Sequence, residues 1–521
     1  MATSEPTSAS DESVAAPPPA GATMEALRGL GYTLPAAIAD IIDNSISAKA
    51  RNIWLTFHWA GRDSFIAIVD DGRGMTPEEL LNALTLGSRD PRKPRASDDL
   101  GRFGLGLKTA SFSQSRLLTV ATRREGEAGA VLRWDLDYVA QVDDWRLLRG
   151  ARDGSSDRLS PIETLASGTV VLLENLDRVV PPVASSDRRA QDEFLAQIDR
   201  VEQHLAMVFS RYLEGAPPAL KIFINGRDDR HRVRPWDPFL TRHAATIATP
   251  IERIQSATGL VEIQGFVLPH RDRLSDDLFQ AGGGPEGWTA QQGFYVYRSR
   301  RLILPGSWLG LGETRTWTKE EPYKLARLRL DLPNTADAEW KIDVRKSSGE
   351  PPDFLKARLR DLAQHVREQA RRVFAFCGSP TQAIPAEIER AWVVIEPGRE
   401  GQLRYRVNRQ HPAVRHALAC GSDLQAAIEG MLRIIEATVP VQRIWLDTVD
   451  HGDVEVPSTD NDSAAVEPIM RLVFGHLVTS EGLSPPEAKR RLLRTEPFQR
   501  FPQLVENVAA TTTLTGGSDA R

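Results

Sequence analysis

Residues 34–75 read LPAAIADIIDNSISAKARNIWLTFHWAGRDSFIAIVDDGRGM. Ile38, Ile41 and Ile42 recur at the spacing of one helix face. Two apolar runs of strand length and composition follow, NIWLTFHWA and SFIAIVDDG. The stretch therefore predicts a helix followed by two strands.

The next residues contain a strong signal for the start of a second helix. Thr76 is a suitable N-cap, Pro77 occupies the first helical position, and Glu79 can complete a capping box. We expect this helix to run to about Leu86. Beyond it, the stretch from Gly87 is dominated by glycine, proline and charge, which is typical of a mobile lid, until LGLKTASFSQS at 105–115 resumes a helical pattern.

Further apolar runs divide the rest of the chain. Strands are predicted at RLLTVATRR, AVLRWDLDY and GTVVLLENL, and an amphipathic helix at about Ala190 to Leu213. A second set of strands begins at LKIFING and continues through VEIQGFVLP and GFYVYRSRRLI to about WKIDVRKSSG. Asp353 to Phe376 is a further predicted helix, and the last third is mixed and mainly helical.

Composition excludes several classes of protein. At 521 residues, the chain exceeds the size that one hydrophobic core usually serves. The net charge of -5 argues against a strongly basic nucleic-acid binder, and no apolar run is long enough to span a bilayer. Two cysteines cannot form a disulfide framework, and the N-terminus has no signal-peptide layout. We therefore expect a protein of the reducing cytoplasm.

Four short segments contain residues suited to binding a nucleotide. On a helix, Asp40 and Asn44 lie one turn apart on the same face, so the acid can address a water while the amide oxygen ligates magnesium. Asp70, at the end of the strand FIAIV, can accept a hydrogen bond from the exocyclic amine of adenine. Gly72 and Gly74, in DDGRGM at 70–75, allow close approach of backbone and base.

The other two segments lie further along the chain. Three glycines, Gly101, Gly104 and Gly106, can expose backbone N–H groups to phosphates, and Lys108 can add positive charge. Thr169, before the strand VVLLENL, could share a water with Asp70 at the adenine. Each segment alone is equally compatible with an ordinary turn or a solvated helix face.

In this order and spacing, the four segments resemble the GHKL ATPase superfamily, which includes DNA gyrase B, the Hsp90 chaperones, histidine kinases and MutL. GLGLKTAS, LTLGSRD and GFYVYRSRRLI are most similar to the MORC branch and its prokaryotic relatives, close to MutL. The resemblance covers about Met24 to Pro352.

The resemblance implies an α+β chain: a Bergerat-type α/β sandwich ATPase domain, an S5-like α/β transducer domain and a mainly helical C-terminal region. The implied boundaries are a disordered tail at 1–20, the ATP-binding domain at 21–185, the transducer at 186–350, the helical region at 351–510 and a flexible tail at 511–521.

The resemblance also implies roles for individual residues. Asn44 would ligate Mg2+, and Asp70 with Thr169 would recognise the adenine of ATP. The remaining cofactor-binding set would be Gly72, Gly74, Met75, Gly101, Gly104, Gly106 and Lys108.

Asp40 takes the position of the general base. The commoner family pattern has glutamate there, so the shorter side chain predicts slow hydrolysis. Asp43 is a possible substitute, although we expect it to point away on the helix. Ser47 replaces an aspartate often found in the family.

In the transducer, the loop IDVRKS at 342–347 resembles one whose lysine reaches the γ-phosphate, which favours Lys346, with Lys341 second.

Three functions fit this resemblance to different degrees. The favoured one is an ATPase of the MutL and MORC kind, which would dimerise as a clamp on DNA. The resemblance implies a partner nuclease or helicase in restriction or phage defence. Local basic stretches support this DNA partner: Arg89 to Arg95, Arg298 to Arg301, and Lys489 to Arg494.

An Hsp90-like chaperone acting on protein clients is the alternative, although the segment after the transducer is short for it. A sensor histidine kinase would need a phospho-acceptor histidine before an acid and a proline, whereas His243 precedes alanines. The C-terminal third lacks the clustered acids that a type II topoisomerase or a MutL-type nuclease would need.

Overall fold

A computed structural model describes most of the chain and divides it into two compact units, Met1–Ala375 and Phe376–Arg521. The described residues are 18–29, 31–88, 106–256, 258–336, 339–341, 349–375, 389–395, 404–419, 422–439 and 463–508. Residues 1–17 of the predicted N-terminal tail, the predicted C-terminal tail, most of the predicted lid with Gly101 and Gly104, and Lys346 lie outside these ranges.

The first unit contains a mixed sheet of seven strands, in the order β5-β4-β3-β6-β2-β1-β7. Its neighbours are antiparallel except β1 and β7, which run parallel. The strands are β1 (Asn52–His58), β2 (Phe65–Asp70), β3 (Leu117–Arg123), β4 (Ala130–Asp135), β5 (Leu148–Arg149), β6 (Gly168–Glu174) and β7 (Lys221–Ile224).

Helices pack on one face of this sheet. Since side chains alternate between the two faces of a strand, successive residues of one strand belong to different clusters. Ile66 and Ile68 of β2 join a core with the helices, whereas Ala67 and Val69 belong to a smaller cluster on the opposite face. The helices of this region are α1 (Ala20–Arg28), α2 (Leu34–Ser47), α3 (Pro77–Leu84), α4 (Gly106–Phe112), α5 (Leu136–Val142), α6 (Arg188–Val208) and α7 (Ser210–Leu213).

A second sheet follows in the same unit, in the order β12-β11-β13-β10-β8, with β9 paired to β10. Helix α10 (Asp353–Ala375) packs on it, and Val366 comes so close to Gly265 that a side chain there would collide. The strands are β8 (Ile247–Ala248), β9 (Glu252–Ser256), β10 (Gly259–Val267), β11 (Gly293–Arg298), β12 (Arg301–Ser307) and β13 (Ala326–Leu332), with short helices α8 (Asp276–Gly283) and α9 (Gly287–Ala290).

Two predicted strands are shorter in the structure. GFYVYRSRRLI forms a hairpin, because Ser299 and Arg300 turn the chain with positive φ angles of 47° and 70°. AVLRWDLDY ends as a strand at Asp135, whose side chain accepts hydrogen bonds from the N–H groups of Asp137 and Tyr138 and caps α5.

The first sheet also continues past residue 185, where we expected the ATP-binding domain to end. Strand β7 pairs with β1, and Phe209 of the segment before it belongs to the core of the first sheet. Tyr295 and Leu302 of the hairpin extend that core into the second sheet.

The second unit combines a two-stranded sheet, β14 (Trp392–Ile395) with β15 (Arg404–Val407), and several helices around their own core. These helices are α11 (Pro412–Leu418), α12 (Ser422–Thr438), α13 (Ser463–Thr479), α14 (Pro485–Leu492) and α15 (Pro502–Asn507). The expected α+β class with a mainly helical C-terminal region is confirmed. Within the described part of the chain, none of the helices is long and apolar enough to cross a membrane.

Candidate functional site

Asp70 ends β2 as a buried carboxylate, with only 5% of the residue exposed. Its Oδ2 accepts a hydrogen bond from Ser45 Oγ at 2.8 Å, and its Oδ1 accepts one from the N–H of Gly72 at 2.9 Å. Burial raises the pKa of Asp70 to about 6, although both hydrogen bonds act in the opposite direction. The carboxylate is therefore held in place between α2 and the turn after β2.

Thr169 lies directly beside Asp70, because the two residues are paired in the β2–β6 ladder. Thr122 is paired with Thr169 across the next ladder, and their hydroxyl oxygens are 3.2 Å apart. Thr122 Oγ1 also accepts a hydrogen bond from the N–H of Met75 at 2.9 Å. Three neighbouring strands thus bring a small polar group together, as the sequence predicted for Asp70 and Thr169.

The two glycines after Asp70 are needed by the local backbone. A Cβ on Gly72 would lie 2.8 Å from Asp70 Oδ1, and Gly74 has a φ of +66°. A Cβ on Gly74 would lie 1.9 Å from the carbonyl oxygen of Arg123, which is closer than any real side chain allows. Gly74 is thus required by the close approach of β3, whatever its part in nucleotide binding.

Asn44 is exposed on α2, and its amide group is oriented by its own helix. Its Nδ2 donates to the carbonyl oxygens of Asp40 at 3.0 Å and Ile41 at 3.3 Å. Since these bonds use Nδ2, Oδ1 is the side-chain atom with which Asn44 could ligate a magnesium ion. The ligand role of Asn44 stays a prediction.

Asp40 has a more constrained environment than the sequence suggested. Its Oδ2 accepts a hydrogen bond from the hydroxyl of Tyr32 at 3.0 Å, and its Oδ1 lies 3.2 Å from Arg301 Nη2. A Cβ on Gly106, the first residue of α4, would lie 4.0 Å from Oδ2. The start of α4 and the carboxylate of Asp40 are therefore neighbours, as the predicted phosphate segment requires.

Arg301 is a buried cation that binds two carboxylates of α2. Besides Asp40, its Nε donates to Asp43 Oδ1 at 2.7 Å. Burial alone would lower the pKa of Arg301, but the charges of Asp43 and Asp40 raise it. Burial, followed by the charge of Arg301, lowers the pKa of His204 to about 4, so that this imidazole is neutral near pH 7.

The expectation that Asp43 points away from Asp40 is wrong. Residues three apart on a helix are neighbours, and here both carboxylates bind the same guanidinium. Ser47, also on this helix, donates its hydroxyl to the carbonyl oxygen of Asp43 at 2.9 Å.

The predicted lysines lie in different surroundings. Lys108 is buried, and its ammonium donates to the carbonyl oxygens of Ala83 and Thr85 at 2.9 Å each, at the end of α3. Lys341 is exposed and pairs with Glu350 at 3.0 Å. Lys346 lies outside the described residues, so the choice between Lys346 and Lys341 stays a prediction.

One of the basic stretches expected to contact DNA is not a surface patch. Arg298 and Arg301 are buried, with 2% and 4% of each residue exposed, because they face the interior on either side of the hairpin turn. In the last stretch, Arg490 and Arg494 are exposed, whereas Arg491 pairs with Glu389 and Glu481. The whole Arg89 to Arg95 stretch lies outside the described residues.

Sequence reasoning missed four residues of the site: Ser45, Thr122, Tyr32 and Arg301. Ser45 follows Asn44 directly, so its position next to a candidate ligand was a usable signal. The other three reach the site only through packing. In the described part of the chain, no group of three or more histidine, cysteine, aspartate or glutamate side chains could hold a metal ion by itself.

Comparison with known protein families places this site in a recognised domain. Residues 32–169 match the family described as histidine kinase-, DNA gyrase B- and HSP90-like ATPase. The match includes α2, the end of β2 and the start of β6, and confirms the resemblance to the GHKL superfamily.

Individual relatives belong to the MORC and MutL branch. ATPase morc-1 of Caenorhabditis elegans is 36% identical over 96 residues, which is 18% of this chain and 11% of that protein. The DNA mismatch repair protein MutL of Rhizorhabdus wittichii is 28% identical over 172 residues, 33% of this chain and 26% of that protein. ATPase MORC2B of Mus musculus is 30% identical over 94 residues, 17% of this chain and 9% of that protein. The chain thus matches only a small part of each relative.

Proposed function

We propose that the GHKL ATPase domain at residues 32–169 binds ATP with magnesium and hydrolyses it slowly, and that bound ATP brings two protomers together as a clamp on DNA. The observation that supports this most is the buried carboxylate of Asp70 beside Thr169, at the end of β2 within the family match.

The proposed recognition of adenine is based on the burial and the hydrogen bonds of the Asp70 carboxylate. Each oxygen of an ionised carboxylate can accept more than one hydrogen bond. Burial makes the charge of Asp70 unfavourable, as the raised pKa indicates, although hydrogen bonds from Ser45 and from the backbones of Gly72 and Thr169 act in the opposite direction. The exocyclic amine of adenine would supply a donor, so binding of the base would relieve part of this cost.

The phosphates would lie between α2 and the start of α4. Asn44 Oδ1 would ligate magnesium, which neutralises phosphate charge when it is bound. Gly106 begins α4 next to Asp40, and we propose that Gly101 and Gly104 complete the phosphate-binding segment. Lys108 would contribute by holding the end of α3 in place, and Lys346 would approach the γ-phosphate.

Hydrolysis would be slow for two reasons. Asp40 has a shorter side chain than the usual glutamate, and general bases act within hydrogen-bond reach of their proton. Its Oδ2, on the side of Gly106, also already accepts a hydrogen bond from Tyr32. We therefore propose that binding and dimerisation dominate the function, and that turnover resets the clamp.

The partner proposal rests on relatives and on exposed charge. Relatives of the domain include a DNA mismatch repair protein. Exposed Arg490 and Arg494 in the second unit offer positive charge, which contributes to binding phosphate backbones. For the biological setting, we propose that the chain acts with a nuclease or helicase in restriction or phage defence.

The test combines nucleotide titration with size-exclusion chromatography. With magnesium and a non-hydrolysable ATP analogue, the wild type is expected to bind and to elute as a dimer that retains duplex DNA. Asn44→Ala and Asp70→Ala are expected to weaken binding by at least about tenfold, since each loses a contact worth about 1.4 kcal/mol or more.

Asp63→Ala is the matched control for these variants, because Asp63 is an exposed carboxylate in the loop before β2. The proposal is wrong if the wild type binds no ATP. Binding without a change in elution volume or DNA retention would limit the function to nucleotide binding.

A further inference from the structure

The second sheet reaches the candidate base directly, through Arg301 at the start of β12. The side chain of Arg301 is 5% exposed, and those of Asp40 and Asp43 are 5% and 2% exposed. The guanidinium also donates Nη1 to the carbonyl oxygen of Leu302 at 3.0 Å and lies 5.7 Å from the ring centroid of Phe209. Its position is thus defined on several sides.

A buried cation with two anionic partners is held strongly in one geometry. Removing one member of such a cluster leaves a buried charge without compensation, which is strongly destabilising. The planar guanidinium also fixes the direction of each hydrogen bond, which an ammonium group does not. The contact therefore determines the orientation of the Asp40 carboxylate as well as its location.

We propose that Arg301 is a positioning residue for ATP hydrolysis, which holds Asp40 from the second sheet and orients its other oxygen toward the start of α4. This inference rests on the proposed function. Because Arg301 binds Oδ1, Oδ2 is left on the side of Tyr32 and Gly106. That is the side on which the phosphates and the attacking water would lie.

The hairpin of β11 and β12 would then couple the second sheet to catalysis. The hairpin is fixed next to Arg301 by Tyr212, whose hydroxyl donates to the carbonyl oxygen of Ser299. A shift of the hairpin relative to α2 moves the guanidinium and hence the carboxylate. A misplacement of about 1 Å is enough to lower a rate by about two orders of magnitude. The coupling acts on turnover and leaves ATP binding nearly unchanged.

The first experiment separates binding from turnover. Arg301→Gln is expected to lower the single-turnover rate of ATP hydrolysis by at least about tenfold, while Kd for a non-hydrolysable analogue changes by less than about threefold. Arg301→Lys keeps the charge and is expected to recover part of the rate. Arg189→Gln, at an exposed arginine of α6, is the control and should keep both values.

A second experiment needs no nucleotide and tests the contact itself. Thermal unfolding of the ligand-free protein is compared for Arg301→Gln, Asp40→Asn and the double variant. Because the two residues share one cluster, the Tm shift of the double variant is expected to be clearly smaller than the sum of the shifts of the two single variants. Additive shifts would show that the two residues do not interact and would overturn the inference.

The kinetic outcomes are decisive in different ways. An unchanged rate in Arg301→Gln, or equal losses of rate and affinity, overturns the positioning role but not ATP binding. A wild type that binds ATP without any single-turnover hydrolysis also overturns it, because Asp40 then has no step to promote. A wild type that binds no ATP contradicts the proposed function itself, whereas the unfolding experiment still tests the contact.

Discussion

At the scale of single residues, Arg301 joins the candidate site from a distant part of the chain. Asp40, Asn44 and Asp70 could be selected because each lies in a short local motif. Arg301 could not, since it contacts Asp40 across 261 positions of sequence. Its neighbours Arg298 and Arg300 made it look like part of a surface patch, and only the packing of the hairpin shows that it is buried.

Asp70 contributes to the pH dependence of stability. Its pKa is raised from 3.8 to about 6 in the folded protein, so the folded form of this group binds more protons than the unfolded form between these values. The contribution of Asp70 to the stability of the ligand-free protein should therefore increase as pH falls through this window, whereas His204, whose pKa is lowered to about 4, contributes in the opposite direction. At pH 7, the ionised carboxylate costs up to about 3 kcal/mol.

Asp70→Asn is accordingly expected to stabilise the ligand-free protein by about 1 to 3 kcal/mol at pH 7 and by almost nothing at pH 4. The measurement is urea unfolding at both pH values, with Asp63→Asn as an exposed control that should show no such difference. Equal effects at the two pH values would contradict the assigned pKa. The same variant should bind ATP more weakly, as stabilising changes at functional sites often do.

At the scale of elements, short sequence signals such as a capping box predicted the ends of helices most reliably. The capping box at the start of α3 is formed as predicted, with the N–H of Glu79 donating to Thr76 Oγ1 at 3.2 Å and the N–H of Thr76 donating to Glu79 Oε2 at 3.0 Å. The turn between β11 and β12 was missed because Ser299 and Arg300 are not the Asn-Gly pair that usually marks such a turn.

Thr76→Ala should therefore destabilise the protein by about 1 kcal/mol, since it leaves a helix N–H group without its acceptor. Urea unfolding measures this change, and Thr85→Ala at the other end of α3 serves as a control for loss of a hydroxyl. If the two variants have the same free energy of unfolding, the capping box does not contribute to stability. Since α3 ends at the carbonyl groups that Lys108 binds, a small decrease in ATP affinity should accompany the loss.

At the scale of the whole molecule, the α+β class followed from the order of apolar runs and from the resemblance. The extent of the first sheet did not, because LKIFING has the composition of any buried strand, and pairing of β7 with β1 is decided by tertiary packing. Residues of both sheets share one core, and the compact unit continues to Ala375.

A fragment ending at Ala375 is expected to fold alone and to bind ATP with the affinity of the full chain, since the first unit has its own cores. Circular dichroism and nucleotide titration test this, with a fragment ending at Asn225 as the comparison. The shorter fragment keeps the first sheet but lacks Arg301, so it should be less stable. A fragment ending at Ala375 that fails to fold would show that the second unit is needed.

The parallel pairing of β7 with β1 also has a consequence for synthesis on the ribosome. The outer edge of β1 is covered by a strand that ends at Ile224, so the edge stays open until that point of the chain has left the exit tunnel. Open strand edges pair readily with other chains. The nascent protein is therefore most exposed to misassembly before β7 emerges, and a chaperone that binds nascent chains would act on it at this stage.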